Sequence, residues 1–276
     1  MKAIKTLAHF LLFCLLTLIT QVGGIAYLVS FLTHEFINSK TSKLGIQRAL
    51  KVVVFLLIYS ISSFVIVPPL AKIFGRVPLP FTETNNLQPL NIITCLLNRN
   101  YVRSALKEAA FEAANKMNTV YPGTIVNYLD ANFPFYDGFP LFPHLSHSDG
   151  KKLDLSFCYT YTKTQESTNL CPSIIGYGIC EEPLPGEINT PNYCGQKGYW
   201  QYSFLKKIIP QSNHKNFALD KTKTKNLVNA FATNSVIGKI FIEPHLKTRL
   251  KLTNEKIRFH GCQAVRHDDH IHVQLK

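Results

Sequence analysis

The sequence predicts an α+β domain of roughly 200 residues that follows a two-helix transmembrane hairpin. Three observations lead to this prediction. Two long apolar runs lie near the N-terminus, and helical and strand-like patterns follow them without βαβ regularity. Most of the histidines and cysteines lie in the second half of the chain. The 276 residues and the net charge of +13 are compatible with one or two domains.

The two apolar runs predict membrane-spanning helices at about 7–33 and 52–71. Between Lys5 and Glu35 lie 29 residues without a charge, and residues 52–71 are a second run of 20. Each run reaches the roughly 20 residues that a helix needs to cross about 30 Å of hydrocarbon. A cleaved signal peptide is the alternative for the first run, since two lysines precede it, but the run stays apolar past any cleavage point.

Basic residues predict which side of the membrane the rest of the chain occupies. The predicted loop between the two helices, residues 34–51, carries four of them: Lys40, Lys43, Arg48 and Lys51. Cytoplasmic loops are enriched in Lys and Arg, so this loop is expected in the cytoplasm and both chain ends across the membrane. Residues 72–276 would then lie in the periplasm or outside the cell, anchored by helices in contact with membrane lipid.

Cysteine usage agrees with an oxidising compartment. Six of the seven cysteines follow the apolar runs, and six cysteines allow three disulfides in any of 15 pairings. Most of them lie at about 158–200, a stretch rich in glycine and proline that is predicted to be a loop-rich insertion. The alternative is that all six are reduced and buried. No CxxC occurs, which disfavours a thiolate zinc site.

The remaining elements are predicted from local patterns. Residues 73–90 combine prolines with polar residues and are expected to form a linker before a single domain, residues 91–276. Helices are predicted over 91–117 and over 221–232, because both stretches are rich in helix formers. Strands are expected in four stretches with β-branched and aromatic content. These are Thr124–Phe133, KKLDLSFCY, GKIFIEPHL and HIHVQL.

Two of these strands carry the residues that suggest chemistry. In HIHVQL, His270 and His272 alternate with apolar residues, so both imidazoles lie on one face of a strand. In KKLDLSFCY, Asp154 has the same alternation. His147 precedes Asp154 by seven residues, and Gly150 between them permits a turn that returns the histidine to the strand. Two imidazoles and one carboxylate, with one position left for water, are the composition of a catalytic zinc site.

A plainer reading exists for each of these residues taken alone. A lone histidine or an HxH on a strand is more often structural than a metal ligand, and five histidines are assigned to that class: His9, His34, His214, His245 and His260. Asp268 and Asp269 are either turn residues or partners that orient a histidine. The joint pattern of HxxH, Asp154 and HxxHxH favours a site over chance.

The blocks HLSHSDGKKLDL and RHDDHIHVQ resemble the penicillin-insensitive murein endopeptidases, in the group of lysostaphin-type, D-Ala-D-Ala and hedgehog-like metallopeptidase folds. That group carries HxxxxxxD followed by HxH, and the murein endopeptidases add a histidine three residues before each half. The match covers about 25 residues. It implies a small antiparallel sheet with helices, with Zn²⁺ bound by His147, Asp154 and His272.

The resemblance also implies the roles of the other histidines. His270 and His267 would serve as proton shuttle or transition-state stabiliser, and His144 as a supporting active-site residue. The function expected is that of a membrane-anchored zinc peptidase that hydrolyses peptide bonds in peptidoglycan. Arg103 and Arg266 are candidates for binding a substrate carboxylate.

Two other functions compete with this one. The first is a non-catalytic zinc-containing binding module of the cell envelope, although three histidines beyond the ligand set exceed what a structural metal needs. The second is nucleic-acid binding, which the net charge of +13 suggests. The basic residues are scattered and partly near the membrane, so no nucleic-acid partner is expected.

Overall fold

The computed structural model describes residues 2–276 and shows a mixed α+β protein with small sheets, as predicted. Short 3₁₀ segments and one π-helical segment, Ser62–Ile66, join some of its helices. The α-helices are α1 (Lys2–Thr20), α2 (Gly23–Ser30), α3 (His34–Lys40), α4 (Leu44–Ile61), α5 (Val67–Ile73), α6 (Ile93–Leu96), α7 (Ser104–Val120), α8 (Thr190–Gln196), α9 (Phe204–Ile208), α10 (Lys221–Ala232) and α11 (Pro244–Arg249).

The largest sheet has six strands in the order β10-β9-β11-β5-β4-β2 and is mainly antiparallel at its centre. Its edges, β10 on β9 and β2 on β4, pair in parallel. The strands are β1 (Val77–Pro78), β2 (Leu87–Pro89), β3 (Tyr101–Val102), β4 (Val126–Tyr128), β5 (Lys152–Ser156), β6 (Tyr159–Tyr161), β7 (Ser167–Thr168), β8 (Phe217–Leu219), β9 (Ile237–Phe241), β10 (Ile257–Arg258) and β11 (His270–Leu275).

The core lies where α7 and α10 pack against one face of this sheet. The alternation of β5 and β11 sends Leu153, Leu155, Ile271 and Val273 into the core, and none of these side chains is exposed. The intervening residues of both strands consequently share the opposite face. The sheet thereby fixes where the polar side chains of the histidine-bearing strand lie.

The N-terminal helices differ from the predicted pair. α1 ends at Thr20, and α2 folds back against it, so that the His9 ring contacts those of Tyr27 and Phe31. Gln21 takes a positive φ of 65° at the turn. A Cβ on Gly24 would lie 2.0 Å from Thr17 Oγ1, so only glycine permits this close approach. The predicted helix 7–33 is therefore two helices.

The predicted basic loop 34–51 is also mostly helical, since α3 and α4 leave only residues 41–43 between them. Two helical stretches, Ala3–Thr20 and Leu44–Ile73, are long and apolar enough to cross a membrane. They lie almost wholly exposed against the rest of the chain, with 6% and 11% of each stretch buried. The soluble core therefore does not account for their apolar surface.

The strands expected over Thr124–Phe133, KKLDLSFCY and GKIFIEPHL are shorter than predicted, at β4, β5 and β9. Two predictions for the segment between α5 and α7 are wrong. Residues 73–90 are not a linker, because β2 joins the main sheet and Leu79 and Leu87 are buried in the core. The helix expected over 91–117 is interrupted between α6 and α7 at Asn98, whose φ is 56°. The Asn98 amide donates to Ser63 Oγ at 3.1 Å, and this contact with the apolar helices favours the break.

The described residues contain one disulfide, Cys194–Cys262, whereas up to three were allowed by the sequence. It joins α8 to the segment that precedes β11, across 68 residues of sequence. The other cysteines of the soluble part are free: Cys95, Cys158, Cys171 and Cys180.

Removing this disulfide is expected to destabilise the protein by about 2–5 kcal/mol, since closing a long loop restricts the unfolded chain. The double variant Cys194→Ser/Cys262→Ser should unfold at lower temperature than wild type in detergent micelles, and added reductant should no longer change its stability. Cys14→Ser, at an exposed free cysteine, is the control. Equal melting of wild type and the double variant would contradict the expected contribution.

Candidate metal centre

Asp154 and His272 face each other across the two central strands of the main sheet. The antiparallel register pairs His272 with Asp154 directly, and His270 with Ser156. His272 Nδ1 lies 2.8 Å from Asp154 Oδ1, and both side chains are buried. The predicted meeting of a carboxylate and two histidines on one face of the sheet is what the strand alternation produces.

His147 comes to the same point from the loop before β5. Its Nδ1 lies 2.6 Å from the carbonyl oxygen of Ala131. Because a carbonyl only accepts, Nδ1 carries a proton, and the ring thereby turns Nε2 towards the site. Gly150 has a φ of 76°, and a Cβ there would lie 3.2 Å from Arg76 Nε. The loop therefore needs the glycine that the sequence reading placed at this turn.

Two arginines fix the loop that carries the histidines. Arg76 is fully buried and donates to the carbonyl oxygens of Phe133 and Ser148 and to the carboxylate of Asp137. Arg103 donates to the Asp149 carbonyl oxygen at 3.0 Å and to Asp137 at 3.2 Å. These bonds hold the loop at both its ends, which limits the movement of His144 and His147.

The three predicted ligand atoms are mutual neighbours. His147 Nε2 lies 3.1 Å from His272 Nδ1 and 3.3 Å from Asp154 Oδ1, and the third separation is the 2.8 Å between His272 and Asp154. Ligands at the 2.0–2.1 Å typical of zinc in a tetrahedral site stand about 3.3 Å apart. The donor types and their spacing fit such an ion.

His144 lies in the same cluster, between two carboxylates. Its Nδ1 is 3.2 Å from Asp154 Oδ2 and 3.3 Å from Asp130 Oδ2. Both of its ring nitrogens are buried and make no hydrogen bond to the described residues. His144, His147 and Asp154 thus form a buried group that could bind a metal ion, since their ligand atoms lie within 4.8 Å of one another.

Asp154 is held in its ionised form. Burial alone would raise the pKa of this carboxyl, but the charges of His147 and His270 and the hydrogen bonds of His147 and His272 hold it well below its usual range. Tyr177 adds a further bond, since its hydroxyl donates to Asp154 Oδ2 at 2.8 Å. An ionised carboxylate is the form that ligates a metal.

His270 and His267 lie beside the ligand atoms and differ in charge. Burial acts to lower the pKa of His270, yet Asp154 and Asp269 together raise it to about 9. Burial and the neighbouring His270 and His272 hold the pKa of His267 well below its usual range. These opposite shifts favour the charged form of His270 and the neutral form of His267.

Several residues around the cluster orient its members. Asp269 accepts from His270 Nδ1 and also from the backbone N–H of Gly178. Asp268 is an ion-pair partner of Arg266 and lies 3.7 Å from His245. Of the two readings of this aspartate pair, turn residues or orienting partners, the contacts favour the second.

Sequence reasoning missed Tyr177, Asp130 and His260. Tyr177 lies between Gly176 and Gly178, whose φ values are 84° and 82°, so the GYG sequence marked an unusual backbone. Asp130 follows β4 and pairs with Arg99 at 2.6 Å. His260, which the sequence pattern alone suggests to be structural, contacts the rings of Phe241 and His267 beside the cluster.

Replacing Tyr177 by phenylalanine is expected to weaken metal binding about 10-fold, because an orienting partner of a ligand carries that much affinity. The hydroxyl also accepts from the Asp130 N–H at 3.1 Å, so its loss affects both carboxylates near His144. Zinc affinity can be measured by competition with a chelating dye. Tyr136→Phe, at an exposed tyrosine, should bind like wild type, and an unchanged affinity for Tyr177→Phe would refute the role.

Glu243 makes stability depend on pH. Burial and the nearby charge of Asp268 raise its pKa from 4.5 to about 7. The unfolded chain therefore releases this proton at lower pH than the folded one, and stability is lost as pH rises from about 4.5 to about 7. Glu243→Gln should remove up to roughly 3 kcal/mol of this loss.

The measurement compares thermal unfolding of wild type and Glu243→Gln at pH 5 and pH 8. The variant is expected to gain on wild type only at the higher pH. Glu166→Gln, at an exposed glutamate, should follow wild type at both. A variant that is no more stable than wild type at pH 8 would rule out this contribution.

A cleft of about 590 Å³ lies above the cluster. Six members of the histidine and aspartate cluster line its floor: His144, His147, Asp154, His267, His270 and His272. The walls come from three segments. The segments are the loop at 142–147, the helical segment at 200–205 and the residues at 260–265. A cleft of this size with few convergent polar groups is typical of a small-molecule or peptide site.

Neither candidate for binding a substrate carboxylate is free to do so. Arg266 is 4% exposed and donates two bonds to Asp268, with Glu182 as a further partner at 3.0 Å. Arg103 is engaged by Asp137 and by backbone carbonyls, and it does not line the cleft.

A scan against protein-family models finds no match for this sequence, and a search of curated proteins finds no relative. The resemblance to the murein endopeptidases therefore rests on the two motif blocks. What the described residues establish is a buried group, His144, His147 and Asp154, with the composition and spacing to hold a metal ion at the floor of a cleft.

Proposed function

We propose that the chain is a membrane-anchored, zinc-dependent peptidase. The observation that carries the proposal is the triangle of His147 Nε2, Asp154 Oδ1 and His272 Nδ1, with sides of 2.8–3.3 Å, at the floor of an open cleft. The resemblance of the two motif blocks supports the same ligand set. Peptidoglycan peptides, which the resemblance implies, are the first substrate to test.

The roles of the residues follow from their positions. His147, Asp154 and His272 would hold the ion, which when bound lowers the pKa of water and polarises a carbonyl group. His144, between Asp130 and Asp154, supports the carboxylate ligand. His270 and His267 lie next to the ligands without being needed as ligands. There they can hydrogen-bond a developing oxyanion and pass a proton to the leaving amine.

The N-terminal helices supply the proposed anchor. Helix α1, the pair α2–α3 and helix α4 pack side by side, and each runs antiparallel to the one before it. Tyr27 of α2 contacts both His9 of α1 and Phe55 of α4. The turn after α1 lies against the soluble part, where the Phe135 N–H donates to Gln21 Oε1 at 2.8 Å. Lys5 and the basic residues 40–51 consequently lie at the far end of the bundle.

This arrangement suits a soluble domain on the periplasmic side of a bacterial inner membrane. The basic residues of the far end would be cytoplasmic by the positive-inside rule. The N-terminus would then be cytoplasmic too, which amends the expectation that both chain ends lie across the membrane. Reporter fusions after residues 42 and 276 test this placement, and a cytoplasmic C-terminus would contradict it.

A zinc-containing binding module without catalysis is the second candidate function. A buried group of donors is also what a structural metal requires, and the same fold group includes non-catalytic members. The open cleft over the ligands favours the peptidase, because structural zinc sites are closed.

The deciding experiment uses the full chain in lipid nanodiscs and measures zinc content, the release of muropeptides from purified peptidoglycan and the cleavage of an unfolded polypeptide. The proposal expects about one zinc per chain and hydrolysis of at least one of these substrates, which stops when a chelator removes the metal. Zinc binding without hydrolysis of any peptide would favour the binding module. A chain that binds no zinc would refute both candidates.

A further inference from the structure

The walls of the cleft above the metal centre are apolar where they meet solvent. Four large apolar side chains line it and are substantially exposed: Phe142 by 59%, Leu145 by 55%, Trp200 by 69% and Phe204 by 42%. A large, contiguous patch of exposed apolar side chains commonly marks a binding site. These side chains come from two separate segments that both border the histidine cluster.

No lysine or arginine is among the described residues that line this cleft. The polar groups of the walls away from the metal centre are uncharged ones, such as Gln201 and Gln263. Although the chain has a net charge of +13, its cations lie elsewhere or are paired, as Arg266 is with Asp268. Against the walls away from the metal centre, a substrate carboxylate would therefore lose its hydration without gaining an ion pair with a lysine or arginine.

Trp200 and Phe204 form the most prominent part of the wall. Their rings meet edge to face at 5.7 Å between centroids, and both belong to the helical segment that follows the disulfide-bonded Cys194. The disulfide links this segment to Cys262, next to the wall residues Gln263–Val265. The wall is thus tied covalently to the segment that leads into the histidine strand.

We infer that the cleft binds a bulky apolar side chain of the substrate next to the scissile bond, with Trp200 and Phe204 as its specificity-determining residues. The inference rests on the proposed peptidase function and narrows its substrate class. A polypeptide with leucine or phenylalanine beside the cleaved bond fits the walls. A peptidoglycan stem offers small or carboxylate-bearing side chains, which leave the apolar walls uncovered.

Binding of amino-acid hydroxamates tests the inference without turnover. A hydroxamate chelates zinc, so its side chain is directed to the neighbouring walls. For the zinc-loaded full chain in nanodiscs, calorimetry should give phenylalanine hydroxamate an affinity at least about tenfold above that of alanine hydroxamate. Aspartate hydroxamate should bind no better than the alanine compound.

Matched variants assign the effect to the wall. Trp200→Ala should reduce the phenylalanine-to-alanine affinity ratio several-fold without loss of zinc. Tyr193→Ala, at an exposed aromatic residue outside the cleft, should keep the wild-type ratio. Gln263→Lys should raise the affinity for aspartate hydroxamate, because it adds the missing cation to the wall.

Two outcomes separate this inference from the proposed function. Equal affinity for the three hydroxamates, or cleavage of muropeptides at a higher kcat/KM than peptides with phenylalanine beside the scissile bond, would overturn the inference and leave the peptidase standing. A clear preference for the phenylalanine compound without hydrolysis of any peptide would keep the subsite and refute the peptidase.

Discussion

Replacing His147 by alanine is expected to weaken zinc binding by more than about 100-fold and to abolish hydrolysis, because it removes one of three proposed ligands. His147 is nearly fully buried, and its Nε2 lies within 3.3 Å of both other ligand atoms. His144 Nδ1 faces the Oδ2 atoms of Asp154 and Asp130, whereas His147 and His272 face Asp154 Oδ1.

The measurement is zinc stoichiometry after dialysis, together with hydrolysis of a peptide that wild type cleaves. His214→Ala is the matched control, since this histidine is exposed by 43% of its side chain and lies outside the cluster. Circular dichroism of the variants shows whether the fold is kept. If His147→Ala retained stoichiometric zinc, the ligand set would be His144, Asp154 and His272 or the site would be elsewhere.

Replacing His270 by alanine is expected to leave zinc bound and to lower turnover by about 10²–10⁴-fold, the range of a positioned acid or base. His270 Nε2 lies 3.8 Å from Asp154 Oδ2, which is farther than His272 or His147 lies from that carboxylate. Its other nitrogen is held by Asp269. The residue is thus oriented beside the ligands, as a group that acts on substrate would be.

Two further variants sharpen the assignment. Asp269→Asn should lower turnover less than His270→Ala does, because the imidazole stays in place while its orienting charge is lost. It should also shift the pH dependence of turnover to lower pH, since Asp269 is one of the charges that raise the pKa of His270. Loss of zinc from His270→Ala would contradict the division of roles.

One strand of the site and one helix of the core could be predicted from the sequence to the residue, whereas the strand expected over KKLDLSFCY is shorter and forms β5 over Lys152–Ser156. HIHVQL forms β11 over His270–Leu275, and KTKTKNLVNAFA forms α10 over Lys221–Ala232, as expected. Alternation of polar and apolar residues is a local pattern that the backbone geometry of a strand imposes, so it places His272 and Asp154 on one face without knowledge of the fold. The need for Gly150 was predicted for the same local reason.

The path of the N-terminal helices could not be predicted in this way. Hydropathy shows that residues 6–34 are apolar, but it does not show where the chain turns back. The reversal at Gln21–Val22 depends on the fit of Gly24 against Thr17, a contact between two helices. The burial of the predicted linker likewise depends on β4, which is distant in sequence and supplies the partner of β2.

The sequence by itself thus determined the α+β class, the apolar N-terminal helices and a histidine-aspartate group on neighbouring strands, because periodicity and charge are local properties. Only the tertiary structure decided that the Tyr177 hydroxyl bonds both Asp154 and the Asp130 backbone, and that Cys194 pairs with Cys262. It also decided that aromatic side chains, and no lysine or arginine among the described residues, line the cleft. These features join residues far apart in the chain, and packing alone brings them within contact distance.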